Sequence, residues 1–119
     1  MNKVFISGLI CESPVFRMEA GEIPHLILSL SVRHKTSAGK LQKEIYRVNA
    51  WHNVARWANE NLKRGQIIGL QGYLTQRKVN IGNIAATETE IAVEEFLAGQ
   101  MLPEREPHEV VIPSEEAAD

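Results

Sequence analysis

The feature that most limits what this 119-residue chain can fold into is a two-residue alternation of apolar and polar side chains. It runs through most of the first 97 residues and gives way once to a helical period. In a strand, successive side chains point to opposite faces, so each alternating segment has one face for a core and one for solvent. Lys3 to Phe16 sets Val4, Ile6 and Ile10 on one side, with Gly8 permitting a bend and Pro14 interrupting the run. Past the turn chemistry of Gly21 and Pro24, His25 to Lys35 directs Leu26, Leu28, Leu30 and Val32 inward, and His25, Ser29, Ser31 and Arg33 outward. The polar run Thr36 to Lys40 reads as a hairpin loop. Lys43 to Trp51 then turns Tyr46, Val48 and Ala50 inward and Ile45, Arg47, Asn49 and Trp51 outward.

The break in the pattern falls between Asn53 and Arg64, where Val54, Trp57, Ala58 and Leu62 share one helical face. Asn53 is the expected N-cap and Gly65 the expected C-cap residue. Alternation resumes in Gln66 to Val79, with Ile68, Leu70 and Leu74 on the core side and a bend at Gly72. After a turn at Ile81-Gly82-Asn83, a last strand from about Thr87 to Leu97 places Ile91 and Val93 inward. Three strands, a helix and two strands make an all-β arrangement, and this order is that of a five-stranded OB-fold barrel with one short helix between strands 3 and 4. Residues 1–98 are expected to form this single domain, for which 44% hydrophobic residues are sufficient. Residues 99–119 hold Pro103, Pro107 and Pro113 among six acidic residues and read as an acidic flexible tail.

The net charge of −2 conceals a division. Residues 1–80 carry twelve Lys/Arg against five Glu, whereas residues 81–119 carry Arg105 against ten acidic residues. A basic surface joined to an acidic end is the pattern of a polyanion binder. Catalytic chemistry finds no support. His25, His34, His52 and His108 lack metal-ligand spacing, and there is neither a Gly-Lys-Ser/Thr phosphate loop nor a nucleophile elbow. Cys11 is the single cysteine and has no intrachain partner for a disulfide or a zinc site. No catalytic residue, cofactor or metal is therefore expected. No apolar run approaches the roughly 20 residues of a membrane span, and the opening MNKVFISGLI lacks a secretory pattern, so a cytoplasmic protein without membrane association is expected.

Strands 2 and 3 of an OB barrel commonly hold oligonucleotides, and a surface that does so needs cations to follow phosphates and flat side chains on which bases stack. Arg33, Arg47 and Trp51 lie on the outward parity of strands 2 and 3, His34, Lys35 and Lys43 flank the loop between them, and Arg77 and Lys78 open the last hairpin beside Tyr73. These nine residues form the candidate nucleic-acid site, with Trp51 as the main stacking platform. Trp57 is assigned to the core with the rest of its helical stripe.

Two stretches carry a resemblance. MNKVFISGLI, and YRVNAWHNVARWANENLKRGQIIGLQGYLTQRK with its Lys63-Arg64-Gly65 turn and Leu70-Gln71-Gly72-Tyr73-Leu74 strand, are similar to the bacterial single-stranded DNA-binding protein family. The resemblance implies an OB barrel holding single-stranded DNA over strands 2 and 3 and the last hairpin, without strong sequence preference, in replication, recombination or repair. It also implies oligomers built partly through strand 1, with a homotetramer expected and a homodimer as the alternative, and replication or repair proteins as further partners. At positions where family members stack bases on tryptophan stand His34, Ile45 and Val79, and Trp51 stands where phenylalanine is usual. The chain ends Pro113-Ser114-Glu115-Glu116-Ala117-Ala118-Asp119 in place of the family's terminal phenylalanine. The stretch Gly21-Glu22-Ile23-Pro24-His25 resembles primosomal replication protein N, which supports a second expectation, an adaptor in replication restart dominated by protein contacts.

Overall fold

The structure is a computed structural model and describes residues 1–97. The expected domain end at residue 98 and the acidic tail of residues 99–119 lie outside the described residues. Six strands and one helix follow in the order β1 (Val4–Ile10), β2 (Val15–Glu19), β3 (Ile23–Lys35), β4 (Leu41–Trp51), α1 (His52–Asn61), β5 (Ile67–Ile81) and β6 (Ile84–Leu97). The alternating run from Lys3 to Phe16 is split in two around Pro14, which has no N–H to continue a ladder. Its halves pair differently. β1 lies against β5, whereas β2 turns back on β3 through Gly21 and Glu22, both at positive φ. Pro24, expected in the turn, sits within β3 opposite Met18.

The strands are ordered β1-β5-β6-β4-β3-β2, and Leu9 and Ile10 of β1 also pair with Ser31 and Leu30 of β3. That pairing closes the sheet into a ring. With β1 and β2 counted as one interrupted strand, the connectivity is that of the five-stranded OB fold, helix included. Ring closure gives every inward side chain an opposing wall, and Ile10, Leu26, Leu28, Leu30, Val48, Ala50, Ile68, Leu70 and Ile91 fill the interior. Ala55 and Ala58 of α1 and Leu62 just after it join the buried core, and Trp57 packs against Phe96 with ring centroids 5.7 Å apart.

Several local expectations need correction. Leu74 has the core parity but is 46% exposed, because β5 and β6 run on past the ring as a two-stranded arm with no opposite wall. Phe96 is buried although strict alternation from Ile91 and Val93 places Glu95 inward. The cause is a bulge: Gln71 pairs with Glu95 and the next residue, Gly72, with Val93, so Glu94 is left over and the parity of β6 changes. The last strand begins at Ile84 rather than near Thr87, since the turn is only Gly82-Asn83, with Gly82 at φ 64°. Asn53 is not the N-cap: β4 passes straight into α1, Trp51 holds the cap position with no side-chain cap bond, and His52 makes the corner at φ 59°. Leu62 ends the helix, and Gly65, at φ 97°, donates its N–H to the Ile10 carbonyl at 2.8 Å.

Candidate nucleic-acid interface

Strand parity sorts the nine expected site residues. Arg33 and Lys35 of β3, Lys43, Arg47 and Trp51 of β4, and Tyr73 and Arg77 of β5 share the outward parity of the β3–β4–β6–β5 surface. Cross-strand register then orders them: Arg33 opposite Lys43, Ser29 opposite Arg47, Tyr73 opposite Ala92 and Arg77 opposite Glu88. His34 and Lys78 have the other parity and belong to the other side of their strands. His34 is placed 3.3 Å from Glu44, which also accepts a hydrogen bond from the Tyr46 hydroxyl at 2.6 Å. Those two contacts, the Tyr46 bond first, hold the Glu44 carboxyl below its usual range.

Trp51 is 39% exposed and does not stand alone. His25 lies directly across from it on β3, and the two rings are parallel to within 1° with centroids 3.8 Å apart. His25 is itself buried by its neighbours. Its Nδ1 is 2.7 Å from Glu19 Oε2 on β2 and its Nε2 is 2.8 Å from Asn49 Oδ1 on β4. The Asn49 amide donates to Glu90 Oε1 at 2.7 Å, and the second oxygen of Glu90 accepts from Arg77 Nε and lies 3.2 Å from Arg47 Nε. Arg77 further donates from its Nη2 to Glu88 at 2.8 Å. A continuous polar chain thus crosses five strands, from Glu19 through His25, Asn49 and Glu90 to the two arginines.

Glu90 is 4% exposed, so desolvation pushes its pKa upward. Hydrogen bonds from Arg77 and Asn49 and the charges of Arg47 and Arg77 outweigh burial and leave it below the usual carboxylate range. Glu19 is lowered as well, first by its bond to His25 and then by Arg17, whose Nε donates to it at 2.7 Å. Arg77 is held protonated more firmly than a free arginine by its bond to Glu90.

His25, Asn49 and Glu90 were not among the expected site residues. Outward parity was visible for His25 and Asn49, but their burial and partners depend on strands distant in the chain. The charge division is also redrawn in space. Glu88, Glu90 and Glu94 belong to the acidic part of the sequence yet pair with Arg77, Arg47 and Lys3 of the basic part. Residues 1–97 therefore carry twelve basic against nine acidic side chains. Among the described residues no group of three or more His, Cys, Asp or Glu side chains is placed to hold a metal ion, and no helix is long and apolar enough to cross a membrane.

No curated protein matches the chain. Among solved structures, the Plasmodium falciparum SSB in complex with ssDNA superposes with a TM-score of 0.71 at 21% identity, over 77% of this chain and 85% of that one. At that identity the likeness establishes the fold. The model of the single-strand binding protein family matches residues 1–98, the whole ring with its helix and arm. The chain therefore belongs to the single-strand binding protein family.

Proposed function

We propose that this protein binds single-stranded DNA across the outer β3–β4–β6–β5 surface, with little sequence preference, and serves to cover exposed strands during replication, recombination or repair in the cytoplasm. The observation that carries this reading is the meeting of Trp51, Arg47 and Arg77 on one outward face of a family barrel. Stacking is indifferent to base identity, and arginines address phosphates that every sequence shares. The P. falciparum relative was solved with ssDNA, which supports the same ligand here. Phe5 on the outward parity of β1 is 69% exposed, and it supports an oligomer formed through that strand, a homotetramer in the first instance. Neither comparison favours the restart-adaptor reading over the general binder.

A fluorescence titration with oligothymidine, wild type beside Trp51→Ala, tests the proposal. Loss of one base platform is expected to cost about 1–3 kcal/mol of binding. Equal affinities would remove Trp51 from the interface, and no binding of oligothymidine by the wild type would end the proposal. Light scattering separates the tetramer from a dimer.

A further inference from the structure

We infer that His25 is a positioning residue for nucleic-acid stacking, acting through Trp51; the inference rests on the reading of Trp51 as a base platform. An indole at the end of a strand samples several rotamers, and a base that stacks on it must first stop that motion. Here the motion is stopped in advance, because the imidazole covers one face of the indole at 3.8 Å. A backing ring is useful only if it is itself immobile. Glu19 and Asn49 hold the two nitrogens of His25 from opposite sides, at 2.7 and 2.8 Å, and a flip of the ring would put carbons where both bonds now form.

The orientation of Asn49 is settled in turn. Its amide nitrogen is committed to Glu90, so its oxygen must face His25. A base reaching Trp51 thus meets the top of a stack with fixed depth, and the arginines bound to Glu90 mark where its phosphates run. The open part of the indole remains for the ligand, while His25, at 4% exposure, contributes no contact of its own. Its effect on affinity must therefore pass through Trp51.

The test uses the full chain in a Trp57→Phe background, so that Trp51 is the one tryptophan of the two that remains. His25→Ala is expected to weaken oligothymidine binding about two- to tenfold and to add a fast, subnanosecond component to the anisotropy decay of Trp51. Placed beside Trp51→Ala, the same substitution should cause no further loss. The inference is overturned if His25→Ala leaves affinity or anisotropy unchanged, or if its effect is as large without Trp51 as with it. Should Trp51→Ala alone bind as tightly as its parent, the stacking reading fails and takes this inference with it. A thermal melt checks folding; if His25→Ala does not fold, His25→Gln, which removes the ring and keeps a polar side chain, carries the same comparison.

Discussion

Asn49 donates its side-chain amide to Glu90 at 2.7 Å, joining residues 41 positions apart on the parallel pair β4 and β6. Through that bond a carboxylate is held almost out of solvent on the surface proposed to bind a polyanion. Its negative charge is spent on Arg47 and Arg77, two cations of the same outward face. A phosphate must therefore compete with Glu90 for both guanidinium groups.

Glu90→Gln is accordingly expected to bind oligothymidine several times more tightly at low salt, with the difference shrinking as salt rises. The same variant should be less stable at neutral pH by about 2 kcal/mol, since hydrogen bonds to a charged group are replaced by weaker ones. A salt series of titrations and a urea melt read the two effects separately; weaker binding by a folded variant would contradict the competition.

Acid should weaken the fold through the same residue. Glu90 has a lowered folded-state pKa, so its ion pairs stabilise the protein fully above the unfolded value of about 4.3 and are lost as pH falls through the folded one. Glu19, Glu44 and Glu94 are lowered too and act in the same direction. Melting midpoints should hold steady at neutral pH and fall below about pH 4.5. In Glu90→Gln that fall should be shallower.

Arg77 has the outward parity and Lys78 the opposite one, although they are adjacent in sequence. Arg77→Ala should lower the slope of log affinity against log salt by about one unit. Lys78→Ala should leave it nearly unchanged, and equal effects would show that the arm does not present β5 as the parity requires.

Gly72 allows the approach of β6 at its bulge. A Cβ there would stand 2.1 Å from the Ala92 carbonyl oxygen, a backbone atom that cannot move aside without disturbing the ladder. Gly72→Ala should destabilise the protein by about 3 kcal/mol. Gly82→Ala, in the open turn of the arm, should cost less and leave the barrel intact, as equilibrium unfolding of both would show.

The alternation by itself determined that Leu26, Leu28, Leu30, Val48, Ala50, Ile68, Leu70 and Ile91 line a common interior, because the two-residue repeat is a property of any strand whatever it pairs with. The helix position and the outward side of Arg47, Trp51 and Arg77 follow from the same local geometry. Tertiary structure alone decided what surrounds those side chains. Phe96 is buried because β6 bulges where β5 brings Gly72 against it, and Leu74 is exposed because the ring ends before the arm does. Likewise, His25 finds Trp51, Asn49 and Glu19 only once β2, β3 and β4 are side by side, and Glu90 reaches the arginines only when the last strand lies between the third and fourth strands of the barrel. Parity is local, whereas hydrogen-bond partners and burial come from strands far away in the chain, and these set the electrostatics of the site.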